Sequence, residues 1–223
     1  MHEEVKSCVI INTNWFGIDV GLRQGCVLSP ILFLIFINDL LRELKEAGLG
    51  VVSETQVSNL AFADDIALLA NTKEDLQTLL RIAEKYAQKW KFAFNTKKCK
   101  VMVFNRVGEN PDTFLEGDRL EVVKAYKYLG VWFDTNLTWR LHKATILAKA
   151  KRRAYTMMGF GVCKILPAAS CINLWEVLVR PILEYAGEVW GDGLWEEAEK
   201  LQRVVFWSSD SRSPPLVQLT RSS

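Results

Sequence analysis

The chain has 223 residues, of which 49% are hydrophobic, and this is enough for one sizeable core or two small ones. With 28 basic and 26 acidic residues the net charge is +2, so total charge neither indicates nor excludes a nucleic acid partner. Five scattered cysteines without a CxxC pair and only two histidines argue against a disulfide framework, a zinc site and His-based catalysis.

The composition predicts a soluble intracellular protein of the cytoplasm or nucleus. The longest apolar run, residues 31–37, is too short to cross a bilayer. The first residues, Met-His-Glu-Glu, lack the pattern of a signal peptide. No membrane partner is therefore expected.

The first residues predict a hairpin followed by a helix. Segments 5–11 and 16–20 are rich in strand-forming residues, and the Asn-Thr-Asn sequence at 12–14 indicates the turn between them. Ser29 is expected to cap a helix that has Pro30 at its first position and ends near Gly48. The first half of this helix is apolar on all sides, and we therefore expect it to be deeply buried.

Two short apolar runs, 57–63 and 66–70, are separated only by Asp64 and Asp65, which predicts a buried hairpin with both acids at its tip. Such carboxylates either point to solvent at the turn or bind a cation, and the pair alone leaves both possibilities open. Mg²⁺ prefers such oxygen ligands. Two ions about 3.5–4 Å apart can stabilise phosphoryl transfer, but holding two requires a further carboxylate from a neighbouring strand.

The remaining elements are predicted from periodicity and turn residues. Thr72 and Asp75 have capping spacing, and apolar residues then recur on one helical face at Leu76, Leu79, Leu80, Ala83, Tyr86, Ala87 and Trp90. Strands are expected at 92–94, 101–104 and 126–133, and a loop at 106–119. Helices are expected at about 138–158, 168–186 and 194–207, the second interrupted by Pro181, and disorder is expected at 208–223. The predicted fold class is α+β.

Four blocks of the chain follow one another in a specific order and spacing. They are residues 21–30 (Gly-Leu-Arg-Gln-Gly-Cys-Val-Leu-Ser-Pro), 62–65 (Phe-Ala-Asp-Asp), 95–102 (Asn-Thr-Lys-Lys-Cys-Lys-Val-Met) and 128–131 (Tyr-Leu-Gly-Val). Together they resemble the reverse transcriptase domain of non-LTR, LINE-type retrotransposons. Residues 137–142 and 180–190 are similar to the helical region that follows that domain, so the resemblance covers about 5–207.

The resemblance implies a domain organisation and an activity. Residues 1–135 would form part of a polymerase palm, an antiparallel sheet with packed helices. Residues 136–207 would form a helical thumb-like or connection-like region, and 208–223 a disordered tail. The implied activity is RNA-directed DNA polymerisation, a nucleotidyl transfer that uses an RNA template, a DNA primer, dNTP and Mg²⁺ or Mn²⁺.

The resemblance also implies roles for individual residues. The metal ligands would be Asp64 and Asp65, and Lys98 would lie near the triphosphate as a charge partner or proton donor. Contacts with the incoming nucleotide and template would come from Arg23, Gln24 and Gly25. The primer end would be positioned by Tyr128, Leu129 and Gly130.

Five basic residues lie on or beside the helix predicted after Trp139, namely Lys143, Lys149, Lys151, Arg152 and Arg153. Their charge pattern alone favours a solvated helix face. The family resemblance favours contacts with template–primer phosphates, an attraction independent of sequence and sensitive to salt. Both interpretations stay open.

In this family the first catalytic aspartate lies on a strand well upstream of the Gly-Leu-Arg-Gln-Gly sequence. No acid within residues 1–20 has that sequence context. We therefore expect the upstream strand and the fingers to be missing and the chain to be inactive alone. The alternative is a non-catalytic retrotransposon remnant that at most binds nucleic acid, or a protein partner through an exposed sheet edge. The abrupt change of composition after Trp207 fits a shifted frame or a misjoined exon.

Overall fold

The computed structural model describes residues 6–9, 12–17, 26–52, 56–104, 111–159, 167–191, 193 and 195–207. Helices and small two-stranded sheets make a mixed fold, which agrees with the predicted α+β class. The chain divides into two compact units: residues 1–100 with 111–121, and residues 101–110 with 122–223. None of the described helices is long and apolar enough to cross a membrane.

The hairpin predicted at the start of the first unit is confirmed. It pairs β1 (Lys6–Val9) with β2 (Asn12–Gly17) in antiparallel orientation. The predicted turn at 12–14 is wrong, because Asn12 already pairs with Val9 and these residues lie within β2. Backbone pairing therefore overrides the local turn preference of asparagine. A second, unpredicted pair joins β3 (Val51–Val52) to β4 (Gln56–Val57).

The first long helix, α1 (Ser29–Glu46), has nearly the predicted bounds. Ser29 is its first helical residue rather than its cap, and no side chain caps the helix at Leu28. Pro30 lies in the first turn, where its missing N–H costs no helical hydrogen bond. The helix is followed by Gly48 with φ +65°, a conformation that glycine adopts without strain.

The predicted burial of the first half of α1 is wrong. Val27, just before the helix, is 87% exposed, and Ile35 within it is 65% exposed. Burial is instead concentrated from the middle of the helix onward, at Ile37, Leu40 and Leu44, which pack against α2 (Lys73–Trp90). An apolar sequence is buried only where another element covers it. Here α2 covers mainly the second half of α1.

The predicted cap and apolar face of α2 are confirmed, apart from the last residue of that face. The backbone N–H of Asp75 donates a 3.1 Å hydrogen bond to the hydroxyl of Thr72. Five positions of the predicted face are buried, namely Leu79, Leu80, Ala83, Tyr86 and Ala87. Trp90 is 46% exposed because it ends the helix, and only its ring edge meets the ring of Phe36, with centroids 5.5 Å apart.

The segment after α2 departs from the prediction. Residues 92–94 form no strand, because the N–H of Phe92 donates to the carbonyl of Ala87 and the N–H of Phe94 donates to the Glu116 carboxylate instead of to a neighbouring strand. Only β7 (Lys100–Val101) corresponds to the strand predicted at 101–104. The predicted loop contains a hairpin of β8 (Phe114–Leu115) and β9 (Asp118–Arg119), and β10 (Glu121–Val122) follows it. Residues 105–110 lie outside the described part of the chain.

The second unit contains a hairpin where one strand was predicted, and then helices. The hairpin pairs β11 (Ala125–Tyr128) with β12 (Val131–Asp134). The helices are α3 (Arg140–Gly159), α4 (Ala168–Leu178), α5 (Arg180–Glu184), α6 (Gly187–Trp190) and α7 (Glu196–Trp207). The helix predicted at 168–186 is interrupted at Val179, two residues before Pro181, which lacks the N–H that a continuous helix needs.

The core of the second unit is formed by α3, α4, α5 and α7 together with Val179. Its buried residues are Ala150, Ala154, Met157, Cys171, Trp175, Val179, Leu183, Ala198, Leu201 and Val205. The domain boundary predicted near residue 135 lies inside this unit and stays a prediction, because compactness and functional domains divide a chain on different grounds. The tail predicted at 208–223 lies outside the described residues.

Candidate functional site

The two adjacent aspartates lie at the tip of a hairpin, as the sequence predicts, but the predicted burial of that hairpin is wrong, because Leu60 is 49% and Phe62 is 65% exposed. The hairpin pairs β5 (Asn59–Phe62) with β6 (Asp65–Leu68), and its last pair is Phe62 with Asp65. Ala63 and Asp64 therefore form the turn. Ala63 has φ +51°, a left-handed conformation that is uncommon for a residue with a Cβ. The tight turn places both carboxyl groups at one end of the hairpin.

Both aspartates are exposed, and no described side chain forms a hydrogen bond or an ion pair with either carboxylate. The sequence left a solvated turn and a cation site open, and exposed carboxylates are compatible with both. Among the described residues, no three histidine, cysteine or acidic side chains are placed to hold a metal ion together. The pair could donate oxygens to one divalent ion, and a second ion would need a carboxylate from outside these residues.

The predicted nucleotide and template contacts, Arg23, Gln24 and Gly25, lie outside the described residues. The described part of the chain resumes at Cys26, an exposed cysteine three residues before α1. This part of the predicted site stays a prediction.

Lys98 lies in a turn of the same compact unit as the two aspartates. The carbonyl oxygen of Asn95 accepts hydrogen bonds from the N–H groups of Lys98 at 2.9 Å and Cys99 at 3.2 Å. The side chain of Lys98 is exposed, and the described contacts include none between it and either aspartate. The structure thus places Lys98 on an ordered turn without joining it directly to the acids.

The turn that carries Lys98 is bordered by acidic side chains that sequence reasoning missed. Glu116 accepts a hydrogen bond from the N–H of Phe94, and Asp118 accepts one from the hydroxyl of Thr96. Lys100 forms an ion pair with Glu121. Burial raises the pKa of the Cys99 thiol, and the negative charge of Glu116 adds to this while Lys100 opposes it. The sequence offered one signal only, the Glu-Gly pair at 116–117, which is typical of a tight hairpin turn.

The predicted primer-binding residues lie at the turn of the β11–β12 hairpin. Tyr128 ends β11 and is half-buried, whereas Leu129 and Gly130 form the exposed turn with φ of +45° and +87°. Positive φ at both central positions matches the twist of a two-residue hairpin. Leu129 adopts this conformation despite its Cβ, so contacts elsewhere in the unit must stabilise it.

One such contact comes from Tyr185, a residue to which sequence reasoning gave no role of its own. Its hydroxyl donates a 2.9 Å hydrogen bond to the carbonyl oxygen of Leu129. The backbone carbonyl of Tyr185 in turn accepts a 2.8 Å bond from the indole N–H of Trp190. The hairpin turn is therefore connected to the helical part of the second unit.

A buried histidine supports the other end of the same hairpin. The N–H of Trp132 donates to Nδ1 of His142 at 3.2 Å, and the imidazole lies edge-on to the ring of Trp190 at 5.2 Å. Burial lowers the pKa of His142, and the positive charge of Lys149 lowers it further. Nδ1 of His142 thus acts as a hydrogen-bond acceptor for the backbone of this hairpin.

Four of the five predicted phosphate-contacting residues are exposed on α3, namely Lys149, Lys151, Arg152 and Arg153. Helical spacing places Lys149, Arg152 and Arg153 on one face and Lys151 on another. No carboxylate in the described part of the chain forms an ion pair with these four side chains. Lys143 differs, because it is half-buried and its ammonium lies 5.9 Å from the centroid of the Trp190 ring.

Comparison with known proteins gives one matching family, whose model is described as reverse transcriptase (RNA-dependent DNA polymerase) and matches residues 3–133. The RNA-directed DNA polymerase from mobile element jockey of Drosophila funebris is 32% identical over 183 residues, which are 78% of this chain and 20% of the relative. The Pol polyprotein from retrotransposable element R2 of Nasonia vitripennis is 31% identical over 132 residues, 54% of this chain and 13% of the relative. The chain thus spans at most about a fifth of the length of these relatives.

Proposed function

Since this chain belongs to the reverse transcriptase family, in the branch found in non-LTR retrotransposons, we propose that it forms part of a polymerase that copies RNA into DNA. The observation that carries the proposal is the position of Asp64 and Asp65. They are adjacent, exposed carboxylates at the tip of a tight hairpin inside the matched region, residues 3–133. Template RNA, primer DNA and dNTP are the proposed substrates.

Asp64 and Asp65 suit a Mg²⁺ or Mn²⁺ ion by the chemistry of their donors. Hard divalent cations take carboxylate oxygens together with water and substrate phosphate, and one or two protein carboxylates are usual. A bound ion would supply positive charge to the phosphate oxygens of the reacting nucleotide. The contribution of the chain itself is to hold two carboxylates on a short turn, where neither has a competing cationic partner among the described side chains.

The other predicted residues would act on different parts of the substrates. Lys98 would meet the triphosphate and stabilise charge on the leaving group. The turn of Tyr128, Leu129 and Gly130 would contact the primer end. Arg23, Gln24 and Gly25 would contact the incoming nucleotide and the template.

The basic residues of α3 would bind the phosphate backbone of the template–primer duplex. Lys149, Arg152 and Arg153 share a helix face, and no described carboxylate neutralises them. Exposed cations of this kind attract nucleic acid without regard to sequence. Lys143 and Lys151 would contribute from beside that face.

We propose further that this chain alone does not polymerise. A pair of ions needs a bridging carboxylate in addition to Asp64 and Asp65, and the described residues do not place one beside them. A segment outside these residues would have to supply it. The family resemblance implies that this carboxylate comes from a strand upstream of the Gly-Leu-Arg-Gln-Gly sequence, and without it no polymerisation is expected.

Primer extension on an RNA template with Mg²⁺ or Mn²⁺ tests both parts of the proposal. The chain alone should give no product, whereas a fusion to the upstream polymerase segment of the jockey element should extend the primer. Asp64→Asn should abolish that extension, and Glu46→Gln, an exposed acid at the far end of α1, should leave it unchanged. Extension by the chain alone that Asp64→Asn abolishes would contradict the proposed dependence, and an inactive fusion would count against the polymerase role.

A second candidate function is binding of nucleic acid without catalysis. It is favoured by the basic residues of α3, which have no carboxylate partner in the described structure. In that case RNA and DNA duplexes would bind to the chain with strong salt dependence, and the fusion would still give no product.

A further inference from the structure

The segment carrying Lys98 is held on both sides by acidic side chains of residues 116–121. Before Lys98, the N–H of Phe94 donates to Oε1 of Glu116 at 3.1 Å, and the hydroxyl of Thr96 donates to Oδ2 of Asp118 at 2.6 Å. After it, the ammonium of Lys100 lies 2.6 Å from Oε2 of Glu121. Three contacts therefore fix seven residues around one exposed lysine.

The acids themselves are on a rigid support. The side-chain amide of Gln77 on α2 donates to the carbonyl of Phe114 and accepts from its N–H, both at 2.9 Å. The Gln77 side chain thus pairs with both the N–H and the carbonyl group of Phe114, and it attaches β8 to α2. Thr113 and Leu115 on either side are buried. Glu116 and Asp118 consequently stand on a hairpin that is anchored to the core of the first unit.

The turn that carries Lys98 is closed by backbone hydrogen bonds. Its main bonds converge on one carbonyl, that of Asn95, and the side chains of Asn95, Lys97 and Lys98 are exposed. Ordering the residues of an exposed turn costs backbone conformational entropy. If contacts such as those of Glu116 and Asp118 order the turn before the triphosphate binds, the entropy cost is not paid on binding, and the affinity for the triphosphate increases.

We infer that Glu116 and Asp118 are positioning residues, which set the place of Lys98 by holding the backbone of its turn. The inference rests on the proposed role of Lys98 at the triphosphate. A direct role in phosphate binding does not suit these two acids, because a carboxylate repels a triphosphate. Their bonds to Phe94 and Thr96 instead act through the turn.

The test labels lysines of the full chain with pyridoxal 5′-phosphate, whose aldehyde forms an imine with an amine beside a phosphate site and is fixed by borohydride. Mass spectrometry gives the labelling of Lys98, with Lys97 as the internal control, at increasing concentrations of dATP and Mg²⁺. Thr96→Val and Asp118→Ala remove the hydrogen bond, whereas Asp118→Asn and Glu116→Gln retain an acceptor without the charge. Asp112→Ala is the matched control, because it removes an exposed ion pair with Arg119 of the same hairpin but no hydrogen bond to the Lys98 turn.

Protection of wild-type Lys98 by dATP is expected. Thr96→Val and Asp118→Ala should raise the dATP concentration for half protection on the order of ten-fold, the value of a hydrogen bond to a charged group. Asp118→Asn, Glu116→Gln and Asp112→Ala should stay near wild type. Urea unfolding of each variant would show whether the fold is retained.

Three results would overturn the inference. If wild-type Lys98 is protected and Thr96→Val and Asp118→Ala leave that protection unchanged, the acids do not position the lysine, and its proposed role stands. If Asp118→Asn loses as much as Asp118→Ala, charge rather than position carries the effect. If dATP does not protect Lys98 in the wild-type chain, the proposed role of Lys98 fails and the inference fails with it.

Discussion

The hydroxyl of Tyr185 donates a 2.9 Å hydrogen bond to the carbonyl oxygen of Leu129, a residue 56 positions earlier in the chain. The family match ends at residue 133, so this bond joins the last hairpin of the matched region to the helices that follow. The aromatic ring also lies against Gly130, where an added Cβ would be only 2.8 Å from Cε1 of Tyr185. Position 130 therefore requires glycine for two reasons: its φ of +87° is strained for other residues, and the ring of Tyr185 leaves no space for a Cβ.

Gly130→Ala should destabilise the chain more than Gly117→Ala. Both glycines have positive φ, which costs a residue with a Cβ about 1–2 kcal/mol. Position 117 has no atom within 4 Å of an added Cβ, whereas at position 130 the ring of Tyr185 must move and lose its hydrogen bond, worth about 1 kcal/mol. Urea unfolding followed by circular dichroism measures both variants. Equal costs, or an undiminished difference in a Tyr185→Ala background, would contradict the explanation.

The stability of the second unit should fall as pH falls below about 6.5, the ordinary pKa of histidine. The folded-state pKa of His142 is lowered, chiefly by burial, so the folded chain binds this proton less readily than the unfolded chain. The stabilisation is present above the unfolded pKa and is lost as pH falls through the folded pKa. Unfolding measured between pH 8 and 5 should show this slope in the wild type and a smaller one in His142→Asn. His2 is the only other histidine in the sequence. An unchanged slope in the variant would show that His142 is not the source of this pH dependence.

Local patterns predicted the elements whose partners are close in sequence. The Asp64–Asp65 hairpin and the Thr72 cap follow from side chains within a few residues, and both are present. The exposure of Ile35 and the β8–β9 hairpin were missed because they depend on distant partners. Among the described residues, no element covers Ile35. The β8–β9 hairpin is held by Gln77, which lies 37 positions before Phe114. Tertiary packing of this kind overrides local propensity.

The turns that carry Asp64, Asp65 and Lys98 could be predicted from the sequence, whereas the contacts that hold those turns could not, and the roles of these residues stay predictions. Asp64, Asp65 and Lys98 stand in recognisable blocks, and their secondary structure follows from turn residues nearby. The hydrogen bonds of Asp118 and Tyr185 link residues 22 and 56 positions apart, so periodicity carries no signal for them.

The exposed apolar face of α1 should cause concentration-dependent association. This face is defined by Ile31, Leu34 and Ile35, all more than half exposed. Contiguous exposed apolar surface favours burial against another molecule. Sedimentation velocity should show reversible association of the wild type, and the double variant Leu34→Gln and Ile35→Gln should be more monomeric. Val177→Gln removes one exposed residue of α4 and should have little effect. A monomeric wild type at high concentration would contradict the prediction.

Asp64→Asn and Asp65→Asn should each weaken the binding of Mn²⁺, because each removes a charged oxygen donor from the hairpin tip. Paramagnetic broadening of NMR signals from residues 62–68 by Mn²⁺ measures this in the chain alone, independently of activity. Glu46→Gln should leave the broadening unchanged, since Glu46 lies at the end of α1. Equal broadening in wild type and both aspartate variants would remove these side chains from the metal site.

Replacing Lys149, Arg152 and Arg153 by glutamine should weaken the binding of an RNA–DNA duplex and make it less sensitive to salt. Each neutralised phosphate releases condensed counterions, so removing three contacts should lower the slope of log affinity against log salt by about 2 to 3. Fluorescence anisotropy between low and moderate salt gives the slope, and Lys85→Gln on the exposed side of α2 provides the control. A solvated helix face predicts the same slope for the triple variant as for the wild type. That result would mean that the basic residues of α3 form a solvated surface and do not bind nucleic acid.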